Sequence, residues 1–330
     1  MNFLPPNRKT KRYSSDDLVE IGVHAIRRVL ASLKKQLNVD AEAALEPIEM
    51  KRSGKKALHI DKQAEMSLKQ TICGNKRFSE IEFYGEERLG IGEIDLSHTD
   101  RTCVLADALD GTDLFERDLA NWCSAVVFFT PLNEPGQRIQ VALVGLPNGS
   151  IYFATHDDDG VSVQREGEKN PTTVRGVDDK RQLEEASICF YGQKVKNLSA
   201  FLESGFMDWV AQADRKRKDA TKALRIYNLA GIPMMVKMID PSYLCAAGID
   251  VVFEPSGQQA HDVVAGAFLA LKHGAVMLSP DGKPMGIKDL EDALMHPNHT
   301  RMEYVIARNA TLAEQMVAAL GHKARKSPSR

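Results

Sequence analysis

Asp107 and Asp110 stand three residues apart at the end of the apolar run Val104-Leu105-Ala106, and Gly111-Thr112 follows at once. Residues of these types in this order suit phosphoryl chemistry. Carboxylates gather hard cations such as Mg²⁺, and N–H groups freed at a helix start bind phosphate oxygens. The same stretch also reads as an ordinary strand–turn–helix junction, with Asp110-Gly111 as turn residues and Thr112 as the helix cap. Three other acidic positions could join it. Asp61, in Asp61-Lys62-Gln63-Ala64-Glu65, is either a helix N-cap or a carboxylate placed near a metal. Glu86, in Gly85-Glu86-Glu87-Arg88, lies about 20 residues before the Asp107 turn and reads either as loop surface or as a member of the same site. Asp262, in Ala260-His261-Asp262-Val263-Val264-Ala265-Gly266, is either an acid favoured by a helix dipole or a ligand, and His261 reads as a packed neutral histidine.

The elements that must position these groups follow from local pattern. Ser14 or Ser15 caps a helix with Asp16 and Asp17 in its first turn, and Leu18, Gly22, Ala25, Val29 and Leu33 share one face. A second helix after Asp61 turns Ala64, Leu68 and Ile72 inward. Strands are expected at Glu80–Tyr84, Cys103–Ala106, Ala125–Phe129, Gln140–Val144 and Ile151–Ala154, with a meander continuing from Val161 to Val174. They form one mostly antiparallel sheet behind the helices, and the strand at Cys103–Ala106 brings the Glu86 and Asp107 segments together. Asp157-Asp158-Asp159-Gly160 lacks the alternating ligands and closing glutamate of a calcium loop, so it reads as a hairpin turn.

A second half begins after a composition shift at Asp178–Glu185. It comprises a strand at Ala186–Phe190, one helical stretch from Leu198 to Ala213 and a strand at Ala223–Tyr227. A helix entered through Gly231-Ile232-Pro233 follows, then a strand Val251–Glu254 and a small-residue helix from Asp262 to about Lys272. Gly274–Leu278 and Tyr304–Ala307 complete its sheet, and Leu312–Leu320 is the last helix. The expected organisation is therefore a flexible arm (1–13), an N-terminal α+β subdomain carrying most metal ligands (14–180), a C-terminal α/β subdomain (181–322) and a disordered tail (323–330). The basic run Arg215-Lys216-Arg217-Lys218 reads as a solvated loop.

Composition narrows the function classes. With 330 residues and 43% hydrophobic content the chain can bury a substantial core. A formal net charge of -2 argues against nucleic acid or an anionic membrane as partner, so phosphate esters would need local metal ions. Five scattered cysteines without a Cys-x-x-Cys pair point to reduced thiols in a cytoplasmic setting. No signal-like or spanning apolar run is present.

Taken together, the blocks Gly85-Glu86-Glu87, Asp107-Ala108-Leu109-Asp110-Gly111-Thr112 with Phe115, and His261–Gly266 resemble the inositol monophosphatase and fructose-bisphosphatase superfamily of Mg²⁺-dependent, lithium-sensitive phosphatases. The inositol monophosphatases are the closest match. Asp61–Glu65 and Val305-Ile306-Ala307-Arg308-Asn309 add softer support, and the likeness covers about Ala57 to Leu320. Ala108 stands where that family usually has proline and His261 where it has tryptophan. Glu254 lies eight residues before Asp262, one more than usual.

The resemblance implies an α/β (α+β) fold, a layered αβαβα sandwich of the sugar-phosphatase type, assembled as a homodimer. It implies two or three Mg²⁺ ions, one held by Glu86, Asp107 and the Leu109 carbonyl and one by Asp107, Asp110 and Asp262. Glu86 and Thr112 would orient an attacking water with help from Asp61. Gly111 and Thr112 N–H groups would hold the phosphate. Asp110, Asp262, Gly231, Ile232 and Glu254 would meet the rest of the substrate. The expected activity is hydrolysis of a small inositol- or sugar-phosphate. The alternatives are a fructose-1,6-bisphosphatase or 3′(2′),5′-bisphosphate nucleotidase, and a non-catalytic paralogue that binds metal.

Overall fold

The computed structural model describes residues 12–39, 47–50, 56–86, 96, 99–176, 181–192, 194–216, 223–229, 231–240, 248–297 and 300–321. Most of the expected arm, the tail, Glu87, Asp178, Arg217-Lys218 and Cys245 lie outside the described residues. Tyr13, at the end of that arm, is buried with its ring 5.2 Å from that of Phe78.

Helix α1 (Ser15–Val39) starts at Ser14, whose Oγ accepts the Asp17 N–H at 3.2 Å. Leu18, Ala25, Val29 and Leu33 are buried on its inner face, as their spacing predicts. Helix α2 (His59–Cys73) buries Ala64, Leu68 and Ile72. It begins two residues before Asp61. Asp61 is therefore a first-turn residue and not the cap, which leaves its carboxylate for another partner.

A short antiparallel pair, β1 (Pro47–Met50) and β2 (Lys56–Leu58), precedes α2. The main sheet of the first half has seven strands in chain order: β3 (Glu82–Gly85), β4 (Cys103–Asp110), β5 (Cys123–Phe129), β6 (Ile139–Gly145), β7 (Ile151–Thr155), β8 (Ser162–Gln164) and β9 (Thr172–Thr173). The β3–β4 pair is parallel and the other pairs are antiparallel. Asp157–Gly160 lies in the turn between β7 and β8, where Asp158 Oδ2 accepts the Thr155 N–H at 2.7 Å.

The second sheet holds β10 (Ser187–Phe190), β11 (Arg225–Tyr227), β12 (Val251–Gln258), β13 (Val276–Leu278), β14 (Pro284–Met285) and β15 (Met302–Ala307), in the order β11-β10-β12-β15-β13-β14.

Side-chain alternation turns these sheets into a five-layer αβαβα stack. Val126 and Phe128 of β5 face α1 and α2, while Ala125, Val127 and Phe129 face the other way. That inner side packs on two central helices, α6 (Ile232–Ile239) and α7 (Val264–Lys272). Val252 of β12 meets the same central layer from the second sheet. Val251 and Phe253 face the outer helices α4 (Val195–Glu203), α5 (Phe206–Lys216) and α9 (Ala310–Leu320). One single-turn helix, α3 (Thr112–Phe115), lies at the end of β4.

Three local expectations need correction. The stretch Leu198–Ala213 is two helices, because Ser204 takes an extended conformation and its hydroxyl donates to Phe201 O at 2.6 Å. The Gly205 N–H there donates to Leu320 O at 2.9 Å, a tertiary bond that no local pattern announces. The strand ending at Glu254 continues to Gln258 through an irregular register. Helix α8 (Ile287–Met295) was not foreseen.

That helix carries a structural carboxylate. Glu291 is fully buried and accepts the N–H groups of Gly136, of Arg138 at 2.6 Å and of Ile139 at 3.2 Å, which ties the β5–β6 connection to α8. Truncation would leave three backbone donors without their charged acceptor. Glu291→Ala should lower stability by roughly 3 kcal/mol, from charge-assisted hydrogen bonds of about 1.5–3 kcal/mol each and partial solvent rescue. Asp292, whose side chain is 77% exposed in its pair with Arg138, is the control. Asp292→Ala should stay within about 0.5 kcal/mol. Urea midpoints of the two variants measure the contrast.

Candidate metal and phosphate site

Strand alternation alone would send two aspartates three residues apart to opposite faces of a sheet. The β4–β5 ladder avoids this through a register irregularity between Asp107 and Asp110, after which Asp110 pairs with Cys123. A bulge of this kind re-aims a side chain, and here it brings both carboxylates to one place. Asp107, Asp110 and Asp262 each offer a carboxylate oxygen within 4.8 Å of the others. Glu86 reaches the same region because β3 runs parallel to β4 with Gly85 opposite Ala106, so the next residue of each strand emerges at the same edge.

Gly111 holds the turn. Its φ is +91°, in the left-handed region, and a Cβ there would lie 2.9 Å from Asn121 O. The helix after it is capped by Gly111 rather than Thr112, with no side-chain cap. The Thr112 hydroxyl is used differently: Oγ1 lies 2.9 Å from Asp61 Oδ1 and 3.1 Å from Leu109 O, both acceptors for its single proton. Asp61, 51 residues away in sequence, is thereby joined to the turn.

Asp107 Oδ1 also accepts the Leu109 N–H at 3.1 Å. Burial raises the Asp107 carboxyl well above the usual range, and the carboxylates of Glu86, Asp110, Asp262 and Asp61 push it the same way. The Cys123 thiol, whose Sγ donates to Asp110 Oδ2 at 3.7 Å, is also driven up by burial first and by Asp110 and Asp107 next. This donor set fits a hard divalent cation. It is built of oxygens, its charges repel one another, and that repulsion is relieved by cation binding.

The expected substrate contacts divide. Gly231, with φ of +89°, backs the site closely enough that a Cβ would stand 3.3 Å from Asp110 Oδ2. Ile232 begins α6 beside it with a fully buried side chain, and Pro233 follows as an early helix residue. Glu254 is fully buried: Oε1 accepts the Ser256 N–H at 2.8 Å and its hydroxyl at 2.6 Å. Burial raises the Glu254 carboxyl, and the two Ser256 bonds work against that rise. His261 is packed, as read, but it lies 3.5 Å from Asp262 and 3.9 Å from Glu86, inside the acidic cluster.

Sequence reading missed a polar pair behind the turn. Lys237 on α6 donates through Nζ to Asn121 Oδ1 at 3.0 Å, and burial lowers the lysine while the Cys189 and Cys123 thiols favour its charge. Its signal was a single cation inside Ile232-Pro233-Met234-Met235-Val236-Lys237-Met238-Ile239. Cys123 offered no signal, since it sits in an apolar run. The described cysteines Cys73, Cys103, Cys123 and Cys189 are free thiols, and burial pushes Cys103 and Cys189 up to about 12.

No protein-family model and no curated protein sequence matches the chain. Solved structures do match its fold. The extragenic suppressor protein SuhB from Bartonella henselae is similar at a TM-score of 0.64 and 15% identity, over 92% of this chain and 98% of its own. An IMPase from Thermotoga maritima gives 0.62 at 17% identity, over 92% and 96%. A hypothetical protein from Pyrococcus horikoshii with similarities for inositol-1 monophosphatase gives 0.63 at 20% identity, over 93% and 99%. The five-layer stack described above is thus a fold that this chain shares with these SuhB- and IMPase-like structures.

Proposed function

We propose that this chain is a metal-dependent phosphomonoesterase acting on a small inositol- or sugar-phosphate. The convergence of Asp107, Asp110 and Asp262 within 4.8 Å carries the reading, because two segments distant in sequence deliver three oxygen donors to one volume. Structures of similar fold support it. One, a SaIMPase-II, was solved with inositol monophosphate, and an IMPase/NADP phosphatase was solved with Mg²⁺ and phosphate. Nucleotide phosphates are the second reading, favoured by a 2′AMP-bound SaIMPase-II and an NADP complex of the IMPase/NADP phosphatase.

Glu86, Asp107, Asp110, Asp262 and the Leu109 carbonyl would hold two or three Mg²⁺ ions, the number expected for the family. Bound there, the ions supply Lewis acidity, an acidified water and charge neutralisation for the leaving oxygen. The chain's own groups handle the proton. Thr112 Oγ1 donates toward Asp61 Oδ1, so its lone pairs remain available to accept a proton from the attacking water while it passes its own to Asp61. Gly111 and Thr112 N–H groups would orient the phosphate, and Gly231 and Ile232 would flank the alcohol portion. Lithium sensitivity and a homodimer complete this reading.

Phosphate release from inositol, sugar and nucleotide esters, run with Mg²⁺, with EDTA and with Mg²⁺ plus Li⁺, tests the proposal. The expected outcome is Mg²⁺-dependent release that lithium suppresses. Metal binding without release from any ester would favour a non-catalytic paralogue. Thr112→Ala should lower kcat about a hundredfold or more with little change in Tm, since it removes the hydroxyl between water and Asp61.

Asp110→Asn should abolish most turnover yet stabilise the metal-free protein. The sign follows from Asp107. Its carboxyl titrates higher in the folded chain than in the unfolded one, so the folded state holds the extra proton and loses stability as pH rises through that raised value. Asp110 contributes to the rise, and its neutralisation weakens the penalty. In EDTA, the Tm of the variant minus that of the wild type should widen as pH rises above the ordinary carboxylate range toward the raised Asp107 value. A constant difference would remove charge crowding as the cause.

A further inference from the structure

The His261 side chain is only 2% exposed, yet neither ring nitrogen has a hydrogen-bond partner among the described residues. Buried imidazoles held for packing normally satisfy at least one nitrogen. Its place is set by the tight turn Ala260–Asp262, where Asp262 Oδ2 accepts the Gln259 N–H at 3.2 Å. The other oxygen, Oδ1, is left 3.5 Å from His261 Nε2, and Glu86 Oε1 lies 3.9 Å from the same nitrogen. Donors about 2.1 Å from one octahedral ion stand roughly 3.0 Å apart when adjacent and about 4.2 Å when opposite. The 3.5 Å contact lies nearer the adjacent spacing and the 3.9 Å contact nearer the opposite one, so small side-chain shifts would bring Nε2 to a position shared with Asp262 or Glu86.

We propose that His261 Nε2 is an additional ligand at the carboxylate site, giving this chain a mixed nitrogen–oxygen donor set that favours Mn²⁺ over Mg²⁺. The inference rests on the metal-site reading above and deepens it. Mg²⁺ is hard and keeps oxygen ligands and water, whereas imidazole strengthens binding of first-row transition ions. The imidazole thus changes which cation the site selects, while the carboxylates still recruit it.

The test is pulsed EPR on the metal-stripped full chain reloaded with Mn²⁺, alongside calorimetric titration with Mn²⁺ and with Mg²⁺. The wild type should show a histidine nitrogen coupled to bound Mn²⁺. His261→Phe should lose that coupling, and its preference for Mn²⁺ over Mg²⁺ should fall about tenfold or more. His261→Gln, which keeps polarity without the imidazole, serves the same purpose if the phenylalanine variant does not fold. Mn²⁺ bound without nitrogen coupling, or coupling that survives both substitutions, overturns the assignment and leaves the carboxylate site standing. Failure of the wild type to bind either ion would instead overturn the metal-site reading itself.

Discussion

Asp107 lies within the buried strand β4, 3% exposed, with the carboxylates of Glu86, Asp110, Asp262 and Asp61 around it. Such crowding opposes the metal-free fold, because burial and like charge both disfavour ionisation. The rest of the molecule holds these groups together in spite of that opposition. Strand β3 pairs in parallel with β4, α7 follows the turn bearing Asp262, and α2 carries Asp61 to Thr112. A cation placed among them converts repulsion into attraction, so the feature that is costly for folding is what suits the site to binding.

Rigidity comes from the layers on either side. The central helices α6 and α7 are apolar almost throughout and are clasped by both sheets, so the segments they begin have little freedom to withdraw. Gly231, at the entry to α6, and Gly111, at the entry to α3, have positive φ at positions where a Cβ would crowd a neighbouring group. Behind the turn, the Lys237–Asn121 hydrogen bond links α6 to the segment leading into β5. The turn is thus held between two packed bodies, which restricts its movement.

Much of this was legible in the residues. Apolar spacing located α1, α2 and the buried strands, and Gly231-Ile232-Pro233 marked the start of α6. The order of the three acidic blocks pointed to one site; the structure brings Asp107, Asp110 and Asp262 within 4.8 Å of one another and sets Glu86 3.9 Å from His261. Other features were not legible. Asp61 looked like a cap because helix caps favour aspartate, yet its partner is a hydroxyl 51 residues away. The break at Ser204-Gly205 depends on Leu320 of another helix. Glu291 lies on a helix that the sequence reading did not foresee, and its burial depends on the β5–β6 connection meeting α8.

The sequence by itself determined the residue types, the alternation that buries each strand on two faces, and the turn chemistry of Asp110-Gly111. These are local properties, governed by periodicity and by backbone sterics. Tertiary structure decided which carboxylates meet. The irregularity between Asp107 and Asp110 depends on the register with β5, Glu86 depends on parallel pairing with β4, and His261 depends on how the Ala260–Asp262 turn packs. Each is a long-range contact, and its energy exists only once distant segments have been brought together.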